Sequence, residues 1–574
     1  MSESPWRPAW IVQPDDGRLV WALALAGAAT MFLVQPPADL WAAAWIAPMP
    51  WLAIVQLPRP RGRSPWLAIW TGGFMHWLLA IHWLRLPHPA TSIGWIALSI
   101  YLAAYVPLFI LVARRLVHGR GWPLVAAAPA AWMACEQLRG WFLGGFTFGM
   151  LGHTQWRWTA MIQAADAFGA VGVSGIIMTV AAAATSVTIG RSWRSCRRDV
   201  SIAAILVLGS FAYGTWRLAT CPVPNDRPLD VLLVQGSIDT ELKHDPGKAV
   251  DVAHHYDTLT LEGLGLSGTA ARPDLIVWPE TMWRWSLLTI DPEERLPEAV
   301  LDDMLGPATE RDTPDDRQAR CREALERQRL EALAAFAVRY GTIWLVGVDR
   351  QVVTPKAVGG ARHYNSGLFL DADGAPVACY DKMHPVMFGE YVPFGDLFPI
   401  LYRLTPLPAS LSAGVEPVAV DVAGYRVAPT ICYETALPEA IRSLVRSLAA
   451  ADRRPDVLVN LTNDGWFWGS SELDMHLASS IFRAVEVRTP IVIAANTGFS
   501  ASIDGSGRLL DRGPRRDTAT LRAAVSKDGR SSLWLTWGSL PVWSGVAIVA
   551  ASALLGRRRP DGSVANCAGN PKGP

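Results

Sequence analysis

The amino-acid sequence predicts a membrane α-helical bundle of about eight spans joined to a layered α/β domain, and three observations carry that prediction. Of 574 residues, 51% are hydrophobic and 18% charged, with 27 Trp, which is the balance of a membrane protein with a water-facing portion. Charge is segregated: no Lys precedes Lys243, whereas Asp291 to Arg329 is crowded with both signs. The hydrophobic pattern also changes near residue 220, from long apolar runs to short strand-length ones.

Seven apolar runs, at 19–35, 40–57, 65–84, 94–113, 122–138, 165–190 and 200–219, are long enough, or nearly so, to cross a ~30 Å hydrocarbon layer. An eighth spans Leu533 to Gly556. Lys and Arg collect in short cytoplasmic loops, so the runs' exits report topology. Arg59, Arg61 and Arg63 follow the second run; Arg114, Arg115 and Arg120 the fourth; Arg191, Arg194, Arg197 and Arg198 the sixth; Arg557, Arg558 and Arg559 the eighth. By contrast Gln35 to Asp39 carries no Arg, and Leu84 to Ser92 only Arg85. Both termini are therefore expected inside and the long segment before the eighth run outside. The expected division is 1–220 helical membrane domain with seven spans, 221–530 outer domain, 531–556 C-terminal span and 557–574 basic cytoplasmic tail. Met1 to Asp16 shows no cleavable-signal pattern, so the first run is expected to stay as an anchor.

Between 221 and 530 the runs DVLLVQG (230–236), DLIVWPE (274–280), TIWLVGV (342–348), SGLFLDADG (366–374), YRVAPTIC (425–432), DVLVNLT (456–462) and PIVIAAN (490–496) read as strands. Helical stretches such as Cys321 to Tyr340 and Asp474 to Arg488 alternate with them, and ASIDGSGRLL (501–510) reads as a hairpin on Asp504-Gly505. Mostly apolar strands separated by helices predict buried sheets in layers. The charged stretch 289–320 is expected to be a solvated loop or insertion.

Composition also excludes classes. A net charge of +1 leaves no basic excess for nucleic acid. Seven Cys without CxxC spacing argue against zinc or a disulfide framework. Among the His residues, including His244, His254, His255, His363, His384 and His476, no HExxH or comparable spacing occurs, and there is no Gly-rich phosphate loop. No metal or other cofactor is implied.

Three residues stand at the ends of apolar runs inside dense motifs: Glu280 in LIVWPET, Lys382 in CYDKMHPVMFGEYVPFGD and Cys432 in VAPTICYE. Singly, each has an ordinary reading as a solvated charge or a core thiol. Together a carboxylate, an ammonium and a thiol are the parts needed to make and break an acyl thioester. Cys432 precedes ALPEAIRSLVRSL, so a nearby helix N-terminus is expected to favour its thiolate. Glu390 brings a second carboxylate eight residues after Lys382, and Tyr433 and Glu434 follow the thiol. The Trp-rich segments WRW (156–158), WRW (283–285) and LWLTW (533–537) fit either packing or an interfacial belt.

The order WPE, YxK followed by FGEYVP, ICYE and LTNDGWF (461–467) resembles the nitrilase, or carbon–nitrogen hydrolase, superfamily. With the apolar runs and EQLRGWFLGGFTFGMLGHTQ (136–155) added, nearly the whole chain resembles that superfamily's membrane-embedded branch, the apolipoprotein N-acyltransferase family. The resemblance implies a nitrilase-like αββα sandwich with Glu280 as general base and acid, Lys382 as oxyanion stabiliser, Cys432 as nucleophile and Glu390 as supporting carboxylate. It further implies a monomer in the bacterial inner (cytoplasmic) membrane, with a periplasmic catalytic domain, a phospholipid acyl donor and a diacylglyceryl-cysteine lipoprotein as acceptor. His244, Pro385 and Met387 depart from that family's usual residues. A membrane-tethered nitrilase-type amidase with water as acceptor is the nearest alternative, ahead of a non-catalytic lipid binder and a transporter.

Overall fold

The structure is a computed structural model that describes residues 17–555, apart from 59, 61–62, 190–191, 224–226, 240–244, 266–271, 310–311, 355–359, 394, 396–397, 399 and 401–409. The basic tail 557–574, Arg59, Arg61, Arg191 and His244 thus lie outside the described residues.

Helices and helical turns dominate the described residues from Gly17 to Ala219, and the described part of the chain closes with Leu533–Trp537 and Leu540–Leu554. Among the described residues, three helices are long and apolar enough to cross a membrane: Thr91–Gly119, Ala165–Thr188 and Trp193–Ala219. Gly17–Leu33 and Leu540–Leu554 are shorter apolar helices. The run at 40–57 breaks into a 3₁₀ turn, Trp41–Trp45, and the short helix Met49–Gln56, because Pro48 and Pro50 remove N–H donors between them. The run at 533–556 likewise breaks at Gly538, whose φ of 57° ends the turn Leu533–Trp537. Ala165–Thr188 lies at the centre of the bundle, whereas Trp193–Ala219 turns Ile205 and Leu208, 71% and 66% exposed, outward. Side chains like these on a long helix face hydrocarbon rather than water.

Two sheets form between the helical parts. The first has seven strands: β1 (Leu229–Gln235), β2 (Leu275–Val277), β3 (Trp283–Ile290), β4 (Ile343–Val353), β5 (Ala361–Leu370), β6 (Pro376–Asp381) and β13 (Ala519–Val525). Its order is β13-β1-β2-β4-β5-β6, with β3 pairing β4 as well. The second has β7 (Val420–Val422), β8 (Tyr425–Ile431), β9 (Val457–Thr462), β10 (Ile491–Ala495), β11 (Ala501–Ile503) and β12 (Leu509–Arg512), in the order β12-β11-β10-β9-β8-β7. The central pairs β1–β2, β2–β4, β8–β9 and β9–β10 are parallel and the edges antiparallel.

Side-chain alternation assembles the layers. Leu229, Val231 and Leu233 point at Val427, Val459 and Val492 of the other sheet, while Leu232 and Val234 meet the helix Ala249–Gly265 on the outside. The helix Pro314–Tyr340 covers the same outer face; Pro438–Ala450 and Glu472–Val487 cover the other sheet. The result is an αββα sandwich. Its second helical layer is continuous with the apolar core of the bundle, since Ile481, Phe482 and Val485 share one cluster with Ile162, Val173 and Ile177.

One expectation is corrected here and one open alternative is decided. Residues 289–320 are not simply a loop: they hold the helix Glu298–Leu305 and the start of Pro314–Tyr340, pinned by buried Arg317 to Asp302 at 2.7 Å. WRW (283–285) belongs to strand β3, where Trp283 packs on Phe336 inside the domain.

Candidate active site

Glu280, Lys382 and Cys432, with Tyr433 and Glu434 beside it, follow strand ends, and Glu390 reaches Lys382 from the loop after β6. Glu280 follows β2 in a turn that closes against β4: the Trp278 N–H donates to the Leu345 carbonyl at 2.9 Å, and Thr281 takes φ 52°. Gly347 makes that approach possible, because a Cβ there would lie 2.2 Å from the Pro279 oxygen. The Glu280 carboxylate is 7% exposed. One oxygen accepts the Asn365 side-chain amide at 2.5 Å and the other the Asn463 backbone N–H at 2.9 Å.

Lys382 directly follows β6, its N–H bonded to the Asn365 carbonyl at 2.8 Å. Its ammonium is 1% exposed, 2.7 Å from Glu390 Oε1 and 3.7 Å from Glu280 Oε1. A lone buried ammonium would lose its proton. Burial does oppose the charge here, but Glu390 and Glu280 outweigh it and hold Lys382 above the ordinary lysine range. Glu390 is itself fixed, its second oxygen accepting the Val386 N–H at 2.7 Å.

Cys432 begins the 3₁₀ turn Cys432–Ala436 that follows β8, with φ 51°, a left-handed value that costs a non-glycine residue about 1–3 kcal/mol. Contacts on its carbonyl offset that strain: the Asn460 amide at 3.2 Å, His476 Nε2 at 3.1 Å and the Thr435 hydroxyl at 3.3 Å. Burial pushes the Cys432 thiol well up, Glu280 adds to this and Lys382 opposes it. The expected helix-terminus stabilisation of the thiolate therefore does not prevail over desolvation.

Glu434 is buried and ties two motifs together. Its carboxylate accepts the N–H groups of Ile431 (2.7 Å), Met383 (2.8 Å) and His384 (3.0 Å) and the Tyr380 hydroxyl (2.9 Å). Tyr433 turns the other way: its hydroxyl donates to the Gly145 carbonyl at 3.2 Å and its ring meets Phe148. The 136–155 segment thus touches the Cys432 turn, where Thr147 also donates to the Ala436 carbonyl at 2.7 Å. Met387 lies near Gly144 of the same segment.

Sequence reasoning passed over Asn365, Asn463, Asp464, Glu472 and His476. Asn365 was detectable as a polar residue beside the apolar run of β5, and Asn463 and Asp464 lie inside the quoted LTNDGWF. Glu472 and His476 are four apart on one helix, and their ligand atoms and those of Asp464 lie within 4.8 Å of one another. His476 has partners at both ring nitrogens without an ion, Asp464 Oδ1 at 3.2 Å on Nδ1 and Thr435 Oγ1 at 2.9 Å on Nε2.

Comparison with known proteins agrees with this architecture. Residues 264–532 match the carbon-nitrogen hydrolase family, which gives the class of the sandwich domain. Residues 27–183 match the apolipoprotein N-acyltransferase N-terminal domain. Relatives called apolipoprotein N-acyltransferase include one from Rhizobium meliloti, 31% identical over 500 residues that cover 83% of this chain and 84% of the relative. One from Geobacter metallireducens is 29% identical, covering 90% of this chain and 92% of the relative. Another, from Rhodopirellula baltica, is 28% identical and covers 93% and 96%. The chain belongs to the apolipoprotein N-acyltransferase family.

Proposed function

We propose that this protein moves a fatty acyl chain from a phospholipid, through a thioester on Cys432, to the N-terminal amine of a diacylglyceryl-cysteine lipoprotein. The observation that carries the reading is the buried Lys382 ammonium held between Glu280 and Glu390 and electrostatically coupled to the Cys432 thiol. Glu280, held at both oxygens, takes the thiol proton, and sulfur attacks the ester carbonyl. Negative charge on the carbonyl oxygen is met by Lys382 and the Tyr433 N–H; one such donor typically contributes about 3 kcal/mol. As the ester C–O bond breaks, Glu280 returns the proton to the departing lysophospholipid oxygen. The acceptor amine, neutral in useful fraction because its ordinary pKa is near ~8, then attacks the thioester carbonyl. Glu280 accepts the amine proton, the C–S bond breaks, and the proton returns to sulfur. Glu390 and Glu434 keep Lys382 and the Cys432 turn in register.

The same reading takes the chain as an eight-span protein of the bacterial inner membrane, monomeric, with 1–220 and 531–556 in the bilayer and 221–530 on the periplasmic side. Contacts between the helix ends support one basic face: Arg114 caps the Ile54, Val55 and Leu57 carbonyls, and Arg120 donates to the Ser552 carbonyl at 2.7 Å. Transfer is favoured over amidase-type hydrolysis because the Cys432 turn rests on the 145–148 segment of the helical part, where lipid-borne substrates keep their chains and water is scarce.

The experiment is intact-mass analysis after incubation with phospholipid, followed by a chase with a diacylglyceryl lipopeptide. A fatty acyl adduct on Cys432 that passes to the peptide amine is the expected result. Release of free fatty acid alone would refute transfer, and an adduct on Cys432→Ser would refute the nucleophile.

A further inference from the structure

We propose that His476 is a positioning residue for acyl transfer, holding the carbonyl of the Cys432–Tyr433 peptide so that its N–H faces the oxyanion. The inference rests on the thioester reading above and deepens it.

His476 is 4% exposed, on the helix Glu472–Val487 behind the nucleophile turn. Its Nε2 lies 3.1 Å from the Cys432 carbonyl oxygen and 2.9 Å from Thr435 Oγ1. A carbonyl oxygen only accepts, so Nε2 carries a hydrogen. Ser480 donates to Thr435 at 3.1 Å and Thr435 donates to the same carbonyl, which leaves His476, Asn460 and Thr435 converging on one oxygen. A peptide unit is planar, so gripping its oxygen fixes the opposite direction of its N–H. Donors on the oxygen also polarise the unit and make that N–H a stronger donor. The peptide so gripped is the one that couples the thiol to the Tyr433 N–H.

His476 is itself aimed from behind. Nδ1 faces Asp464 Oδ1 at 3.2 Å, and the same oxygen accepts the Thr462 hydroxyl at 2.8 Å. Glu472 stands beside the pair, its Oε2 buried and without a hydrogen-bond partner among the described residues. Burial first, then Asp464 and Asp474, push its carboxyl well up.

The test uses the full chain in phospholipid–detergent micelles and reads both the rate of acyl-Cys432 formation and the KM for phospholipid. His476→Gln places an amide nitrogen where Nε2 sits, whereas His476→Asn places one near Nδ1 and leaves the carbonyl without that donor. The Asn variant is expected to acylate roughly 10–100-fold more slowly with KM within about 2-fold, and the Gln variant to recover to within about 5-fold of the parent, given that outright loss of an oxyanion donor costs ~10²–10³. Thr435→Val, which removes one hydroxyl at nearly constant volume, is expected to slow acylation by roughly 3–10-fold and carries the test if His476→Asn does not fold. Equal losses in the Gln and Asn variants, or acylation at the parent rate in Thr435→Val, would overturn the positioning role. A parent enzyme that forms no adduct at all would instead remove the thioester reading, and this inference with it.

Discussion

Exchanging Glu434 for Gln changes one atom of a buried carboxylate and tests whether the Lys382 loop and the Cys432 turn are registered through it. The carboxylate is 1% exposed and accepts three backbone N–H groups, from Ile431, Met383 and His384, besides the Tyr380 hydroxyl. An amide has one acceptor oxygen, so whichever oxygen becomes NH₂ confronts a backbone N–H with another donor. Loss of one hydrogen bond to a charged acceptor costs about 1.5–3 kcal/mol, and the stranded N–H adds to that. Taking about 3 kcal/mol as the displacement penalty, and 1.36 kcal/mol per decade, acyl-enzyme formation should fall ~10²-fold. Burial opposes the Glu434 charge, but the His384 contact and the Ile431 N–H overcome it and hold the carboxyl below its ordinary value. A depressed folded pKa means that the stabilisation is present above the unfolded value near ~4.3 and is lost as pH falls through the folded one. The stability gap between parent and Glu434→Gln should therefore be widest near pH 7 and close in acid. Thermal unfolding in detergent at several pH values, with acylation followed by intact mass, measures both. A folded variant that acylates within ~3-fold of the parent would refute the registration argument.

Three further outcomes follow from the site. The Cys432 thiol should alkylate with a midpoint above that of free cysteine; Glu280→Gln should move the iodoacetamide pH profile down and Lys382→Met should move it up, since the two charges act in opposite senses. Lys382→Met should also destabilise the fold by about 3–5 kcal/mol in denaturant titrations, because it strands two buried carboxylates. Gly347→Ala should reduce acylation on the order of 10²-fold, the effect of ~1 Å misplacement, since its Cβ would lie 2.2 Å from the Pro279 oxygen and 2.7 Å from Glu280 Cα; Gly265→Ala, in open space, should be neutral in the same assay.

Much of the sandwich was legible because its central strands are buried on both faces and read as unbroken apolar runs: DVLLVQG, DLIVWPE and PIVIAAN fall on β1, β2 and β10. Strand β3 was not, since WRWSLLTI mixes Trp with Arg and owes its extended form to pairing with β4. Strand β13, ATLRAAV, is likewise made a strand by antiparallel pairing with β1, nearly three hundred residues upstream. The break at 40–57 was written in Pro48 and Pro50, but apolar content hid it.

What the sequence determined alone was the period of each segment, the separation of apolar helices from strands, and three chemically distinct side chains at the ends of apolar runs. Tertiary structure decided the rest: that Asn365 and Asn463 hold Glu280, that Glu390 meets Lys382, and that His476 grips the Cys432 carbonyl. Local pattern follows from which face of a helix or strand avoids water, and it can be read over a few residues. Charge state and aim depend on burial and on partners tens to hundreds of residues away, and these exist only once the two sheets have packed.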